Sequence, residues 1–136
     1  MTNLTLDQTR RLLREVGFDS QEEDDSILVV LDPDEKFDLE TPVWFFPSEG
    51  LLQVRASIDD FASELSETDR LEFCNAWNRE NLWSKSYFED GDLCVETYLY
   101  LFEDLSEDFV KSVFLTGSVE SCRNFFRKLK KRLDRE

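Results

Sequence analysis

An α+β fold built on an antiparallel sheet of five to six strands is predicted by the order of the amphipathic segments. Helical patterns cover residues 6–16, 67–80 and 106–133, and groups of strand-like segments separate them. This grouping differs from the strict alternation of strand and helix that produces parallel sheets. We therefore expect the N-terminal, middle and C-terminal helices to pack on one sheet, in a single domain spanning residues 1–136.

The first helix carries clear start and stop signals. Thr5 and Gln8 match a capping box, and Gly17 follows the apolar stripe at the point where a helix would end. The polar stretch 21–25 is predicted to be a turn. The apolar run 27–31 is short and β-branched, which is typical of a strand buried on both faces.

A hairpin is predicted next, because the strand segments 43–46 and 51–58 flank the turn residues 47–50. Its second strand alternates between apolar and polar residues, so one face packs on the core and the other meets solvent. The apolar face holds Leu52, Val54, Ala56 and Ile58, and the polar face holds Gln53, Arg55 and Ser57.

The middle helix is capped by Ser66, and Asn81 is predicted to end it in a left-handed conformation. Asn75, Asn78 and Asn81 recur at a spacing of three, and we interpret them as capping the helix and bonding the adjoining strand rather than binding a ligand. A hairpin turn is predicted at 89–92. The inner stripe of the helix is predicted to comprise Leu71, Cys74, Trp77 or Asn78, and Leu82.

The strand after this turn has two distinct faces. A leucine-rich row from Leu93 to Leu101 occupies one of them. The other face carries Cys94, Glu96, Tyr98, Tyr100 and Phe102.

Two helices are predicted in the C-terminal region. Ser106 caps the first, which bears Phe109, Val110, Val113 and Phe114. Gly117 and Ser118 are predicted to interrupt it before the second helix. The apolar seam of that helix comprises Val119, Cys122, Phe126, Leu129 and Leu133.

Several of these segments form a pattern when they are taken together. They are the Asn75–Asn78 part of the middle helix, the aromatic strand 83–88, the turn 90–92 and the helix opening at 105–107, with Phe125 and Phe126 near the end. In this order they resemble the YbjN-like proteins, whose fold is that of type III secretion chaperones. The resemblance implies an antiparallel sheet with helices packed on it, and often a dimer. It also implies protein binding, because that family has no accepted enzymatic activity.

Composition excludes several kinds of chemistry. The chain has no histidine, so imidazole-based metal sites and Ser-His or Cys-His nucleophile pairs are excluded. No glycine-rich phosphate-binding motif is present, and the acidic stretch 32–40 lacks the glycine and spaced glutamate of an EF-hand loop. We therefore expect a non-enzymatic protein with no metal and no cofactor.

The net charge indicates which kinds of partner the protein can bind. With 16 basic and 31 acidic residues the net charge is −15, which repels nucleic acid and anionic membranes and favours a basic protein partner. Seven of the cations lie in residues 123–135, where they suit a helix C-terminus or a contact with the acidic body.

No apolar run could span a bilayer and no signal-peptide pattern is present, so we expect a cytoplasmic protein. Its cysteines, interpreted as small buried hydrophobes, are Cys74, Cys94 and Cys122.

An aromatic strand surface is the leading candidate for partner binding. The Tyr98 face either points outward, as an interface and the basis of a homodimer, or lies beneath the C-terminal helices, and the sequence leaves both arrangements open. The favoured function is a chaperone-like or adaptor module that binds a partner polypeptide on its sheet. The alternatives are an acidic nucleic-acid mimic that inhibits a DNA-binding protein and, last, a carboxylate-based hydrolase. The residues expected to contact the partner are Trp83, Tyr87, Tyr98, Tyr100 and Phe102.

Overall fold

Six strands and three helical regions occupy the part of the chain that the computed structural model describes, residues 1–35, 38, 40–57, 65–89 and 92–134. The strands are β1 (Gln21–Glu23), β2 (Ser26–Leu31), β3 (Thr41–Ser48), β4 (Leu51–Ser57), β5 (Lys85–Glu89) and β6 (Asp92–Tyr100). The helices are α1 (Leu6–Glu15), α2 (Glu67–Glu80), α3 (Glu107–Phe109) and α4 (Thr116–Asp134). A π-helical segment, Val110–Leu115, joins α3 to α4.

All six strands belong to one sheet in the order β1-β2-β3-β4-β6-β5, and each neighbouring pair is antiparallel. The predicted α+β fold with an antiparallel sheet of five to six strands is confirmed. The connectivity of the chain accounts for this strand order. Strands β1 to β4 pair in the order in which they occur along the chain. Strands β5 and β6 form a hairpin, and β6 joins it to the sheet by pairing with β4.

Within the described part of the chain, the helices cover one face of the sheet. Val43 and Phe45 of β3 and Val54 of β4 are fully buried there and join Phe126 of α4 in one hydrophobic cluster. Because successive strand residues point to opposite faces, the residues between them lie on the other side of the sheet. The described helices do not cover that side, and its residues in β3 and β4 are half-buried or exposed.

The predicted limits of α1 are confirmed by its hydrogen bonds. The Gln8 amide donates to Thr5 Oγ1 at 3.1 Å, and the Thr5 amide donates to Gln8 Oε1 at 2.9 Å. At the other end Gly17 has a φ of 93°, a left-handed conformation that favours glycine. The Phe18 amide then donates to the Leu13 carbonyl at 2.9 Å and folds the chain back on the helix.

Of the predictions for the N-terminal strands, one is wrong and one holds only in part. Residues 21–25 are not a simple turn, because Gln21–Glu23 pairs with β2 and only Asp24, with a φ of 53°, and Asp25 form the turn. The predicted burial of β2 on both faces holds for most of the strand, because Leu28 is buried on the side without helices, but Val30 on that side is 42% exposed. The β3–β4 hairpin is confirmed with a tighter turn than expected, because residues 47 and 48 belong to β3.

Helix α2 has the predicted N-cap but a narrower buried stripe. Cys74 and Trp77 are buried, whereas Leu71 is 47% exposed and Leu82 is 95% exposed, so the predicted stripe is wrong at its two ends. Leu82 lies beyond the end of the helix, where the chain turns towards β5. The prediction for Asn81 is also wrong, because its backbone is extended, with a φ of −123°.

The C-terminal region is one unbroken helical rod from 107 to 134, so the predicted interruption at Gly117 and Ser118 is wrong. A Cβ atom on Gly117 would lie 2.7 Å from Trp83 Cζ2, and the glycine therefore permits close packing rather than a break. The predicted seam is buried from Val119 to Leu129. Of the apolar residues expected on the first part of the rod, Val110 and Phe114 are buried and Phe109 and Val113 are exposed. The predicted strand position of Ile58 and the predicted turn residues 90 and 91 lie outside the described residues.

Candidate functional site

The candidate site is the face of the sheet that the helices leave uncovered, here called the open sheet face. Strand alternation identifies its residues, because Leu52, Val54 and Ala56 of β4 are fully buried while Gln53 and Arg55 between them are not. The open sheet face comprises Trp44, Phe46, Gln53, Arg55, Lys85, Tyr87, Glu96, Tyr98 and Tyr100.

Strand register places these side chains in rows across the sheet. Trp44 lies opposite Arg55, and Arg55 lies opposite Glu96. In the next row Gln53 lies opposite Tyr98. Opposed strand residues have Cβ atoms close enough for direct contact, so four strands contribute to one continuous surface.

Glu96 is the centre of a hydrogen-bond network on this surface. Its Oε2 atom accepts from Tyr87 Oη at 2.7 Å and from Gln53 Nε2 at 3.1 Å, and its Oε1 atom accepts from the Tyr98 hydroxyl. The hydrogen bond to Glu96, with burial, raises the pKa of Tyr98 to about 12. Burial and then the same carboxylate raise the pKa of Tyr87 above its usual value. Both phenols therefore stay neutral donors near pH 7, and Glu96 fixes the positions of both rings.

Arg55 ties the network to the edge of the sheet. Its Nη2 atom lies 2.8 Å from Glu89 Oε2 and 3.2 Å from Cys94 Sγ, and its guanidinium carbon lies 5.8 Å from the centroid of the Tyr87 ring. Cys94 is fully buried beneath it, and burial raises the pKa of this thiol. Cys74 and Cys122 are also buried and free, so the predicted burial of the three cysteines is confirmed.

A groove of about 440 Å³ lies beside this network on the open sheet face. Trp44, Phe46 and Arg55 line one side of it, and the β1–β2 turn lines the other. That turn contributes Glu23, whose Oε2 atom accepts from Trp44 Nε1 at 3.4 Å, and the exposed residues Asp24 and Asp25. The groove thus combines aromatic walls with an acidic rim.

Sequence reasoning missed the contribution of Trp44 and Phe46. The sequence predicts the segment 43–46 as one strand of a hairpin without assigning its faces, and in the structure its residues alternate between a fully buried face and a half-buried one. The signal was present in the β4 partner strand, whose polar residues Gln53 and Arg55 lie opposite Phe46 and Trp44. An aromatic residue paired with a polar one across the strands indicates a surface position.

The structure brings together only part of the predicted partner-binding set. Tyr98 is 46% exposed and Tyr100 is 75% exposed, so both point away from the helices, and Tyr87 is linked to Tyr98 through the carboxylate of Glu96. Phe102 is exposed but follows the last residue of β6, so its predicted place in the strand is wrong. A role of these residues in partner binding stays a prediction.

Trp83 belongs to a different surface. Its ring stacks on Phe114 with centroids 6.2 Å apart, and its Nε1 atom donates to Ser118 Oγ at 3.2 Å. Both partners lie on the C-terminal rod, which packs on the helix-covered face of the sheet. The expectation that Trp83 joins the tyrosine surface is therefore wrong, because the chain between α2 and β5 directs the indole towards α4.

The outer edge of β5 is closed by α2. Asn78 Nδ2 donates to the Ser86 carbonyl at 2.9 Å, and the Ser86 amide donates to Asn78 Oδ1 at 2.6 Å. The side-chain amide of Asn78 thus takes the place of a neighbouring strand at Ser86. This confirms the prediction that Asn78 bonds the adjoining strand. Addition of a partner strand at the middle of β5 is blocked.

Replacing Asn78 with alanine should lower the free energy of unfolding by about 1–3 kcal/mol, because it leaves both backbone groups of Ser86 without their partner. Urea unfolding followed by circular dichroism measures the change. Asn75→Ala is the matched control, since Asn75 is exposed on the same helix and should cost less than about 0.5 kcal/mol. Equal losses in the two variants would contradict the edge-closing role of Asn78.

The cations of α4 hold the acidic loop between β2 and β3. Arg123 Nη1 lies 3.4 Å from Asp34 Oδ2, Arg127 also bonds Asp34, and Lys130 bonds Asp38. The Lys130 ammonium lowers the pKa of the Asp38 carboxyl. The predicted contact between the basic segment and the acidic body therefore occurs within one chain.

The described residues contain neither a metal-binding cluster nor a membrane-spanning helix. In that part of the chain no group of three or more acidic or cysteine side chains is arranged to hold a metal ion. No described helix is long and apolar enough to cross a membrane.

These features define a class of protein: a small α+β domain with one helix-covered sheet face and one open face rich in aromatic residues. Residues 5–131 match the profile of the YbjN family, which is described as "Putative bacterial sensory transduction regulator". The chain belongs to this family, as the resemblance predicted.

A solved structure supports the same fold. The chain is similar to "YbjN, a putative transcription regulator from E. coli", with a TM-score of 0.68, 14% sequence identity and coverage of 96% of each chain. At this level of identity the likeness shows the fold alone. No curated protein sequence matches the chain.

Proposed function

We propose that this protein is a non-enzymatic regulator that acts by binding a basic polypeptide on its open sheet face. The description of the YbjN family supports a regulatory role, and the family is not described as one of enzymes. The main observation that supports the proposal is that exposed aromatic rings, the Glu96 network and the acidic groove lie together on one uncovered surface.

The aromatic rings supply contact area at low entropic cost. Tyrosine and tryptophan have few rotatable bonds, and Glu96 restrains Tyr87 and Tyr98 further through hydrogen bonds. Preorganised rings of this kind lose little freedom when a partner binds. Tyr100 extends the same strand face and is the most exposed of the three tyrosines.

Charge around the groove selects the partner. Glu23, Asp24 and Asp25 line one side of the groove, while Arg55, the single cation among the described residues that line it, is paired with Glu89. A basic side chain that enters the groove meets carboxylates at its rim and the faces of Trp44 and Phe46, where cations bind favourably. A net charge of −15 adds long-range attraction for the same class of partner and disfavours direct contact with DNA.

Site-specific photo-crosslinking in the native host tests this proposal. With p-benzoylphenylalanine in place of Tyr100, irradiation should give a discrete adduct with a basic polypeptide. The same residue in place of Val113, which is 44% exposed on the C-terminal rod, is the matched control and should not give that adduct.

Other adducts would change the conclusion. An adduct with a second copy of this chain at position 100 would support the predicted homodimer and would remove the open sheet face from heterologous binding. The same adduct from both positions, or none from position 100, would contradict the proposal.

A further inference from the structure

We infer that the groove between α2 and α4 is a second binding site, which takes an extended acidic segment of a protein partner. It lies on the helix-covered side of the molecule and is separate from the open sheet face. The inference does not depend on the function proposed above.

The groove is basic although the chain is acidic. A volume of about 240 Å³ is lined by Trp77, Asn81, Asn124, Arg127, Lys128 and Lys131. An adjoining volume of about 370 Å³ shares Lys128 and Lys131 and adds Phe73 and Arg132. Residues 1–122 carry 9 basic and 29 acidic side chains, whereas residues 123–136 carry a net charge of +5. Four of those cations line this groove.

The same helix already binds acidic side chains on its neighbouring row. Arg123, Arg127 and Lys130 follow one another at steps of four and three, and they pair with Asp34 and Asp38 of the β2–β3 loop. Residues at these steps lie on one face of a helix and can follow an extended chain. This intramolecular contact shows which kind of segment the helix accepts.

A parallel row with the same steps lines the groove, formed by Asn124, Lys128 and Lys131. Within the described residues Lys131 forms no ion pair, and Lys128 reaches only Glu80, at 3.8 Å between two exposed side chains. Exposed pairs of this geometry contribute little and exchange readily for another carboxylate. The Lys128 ammonium also lies 5.5 Å from the Trp77 ring, which places it at the wall of the groove.

An acidic peptide satisfies this arrangement. Carboxylates can pair with the lysines, and the Asn124 side chain offers an amide donor to a bound backbone. The net charge of −15 repels any polyanion at long range, so binding has to come from these local contacts.

Fluorescence polarisation with a labelled decaglutamate peptide and the full chain tests the inference. We expect saturable binding that Lys131→Glu weakens at least about threefold and Lys128→Glu with Lys131→Glu weakens about tenfold. Arg14→Glu is the matched control, because it makes the same change of net charge on the exposed side of α1 and should leave the affinity unchanged. Thermal unfolding of each variant confirms that the fold is kept.

Three outcomes would overturn the inference. Absence of saturable binding at low salt would remove the site. Equal weakening by Arg14→Glu and Lys131→Glu would show that net charge alone governs binding. Tighter binding of a labelled oligothymidylate of matched length would assign the groove to nucleic acid instead of an acidic peptide.

Discussion

Replacing Phe125 with alanine should lower the free energy of unfolding by about 3–5 kcal/mol. Phe125 is fully buried, and its ring makes edge-on contacts with Phe73, Trp77 and Phe126 at centroid distances of 5.4, 5.1 and 5.1 Å. The substitution removes the ring on which α2 and α4 meet and leaves a cavity that the surrounding elements cannot fill.

Urea unfolding measures this loss. Phe109→Ala is the matched control, because it deletes the same ring at a position that is 41% exposed, and it should cost less than about 1 kcal/mol. A loss below about 1 kcal/mol for Phe125→Ala would mean that α2 and α4 are not held together by this aromatic cluster.

Replacing Tyr98 and Tyr100 together with alanine should weaken partner binding at least about tenfold while the fold stays intact. Both rings are exposed on the open sheet face, so their removal leaves no cavity in the core. Circular dichroism should show a cooperative thermal transition close to that of the wild type. A lost transition would mean that the rings are needed for folding, in contradiction to their exposure.

The helices could be predicted from the sequence because their signals are local. Thr5 with Gln8 and Ser66 cap α1 and α2 through contacts three residues along the chain, and both caps form as expected. The prediction of a left-handed backbone at Asn81 is wrong for a reason that is also local. The Asn81 side chain bonds the Trp77 carbonyl, while its backbone stays extended.

The formation of strand β1 and the continuity of the C-terminal rod depend on tertiary contacts, which local sequence patterns do not reveal. Gln21–Glu23 is polar and exposed, and it becomes a strand only because the turn at Asp24 returns the chain along β2. Gly117 normally weakens a helix, but here it lets Trp83 pack against the rod. Tertiary packing overrides the local preference at both places.

The candidate site could be predicted only in part for the same reason. Alternation along β6 identified Tyr98 and Tyr100 as residues of one face, and that face proves to be uncovered. The neighbours of these rings come from the register of β3, β4 and β6, in which β4 and β6 pair residues from distant parts of the chain, such as Gln53 with Tyr98. Sequence alone therefore predicts the hairpin that carries Trp44 and Arg55 but not the register that places them side by side, and it does not separate Trp83 from the tyrosines.

The most direct test of the open-face proposal is the affinity of the partner crosslinked at position 100, measured by titration calorimetry against three forms of the full chain. The forms are the wild type, Tyr98→Ala with Tyr100→Ala, and the control Phe109→Ala. We predict unchanged affinity for the control, at least about tenfold weaker binding for the double variant, and weaker binding of the wild type at high salt because the groove is acidic. Equal affinity of the wild type and the folded double variant would contradict the proposal.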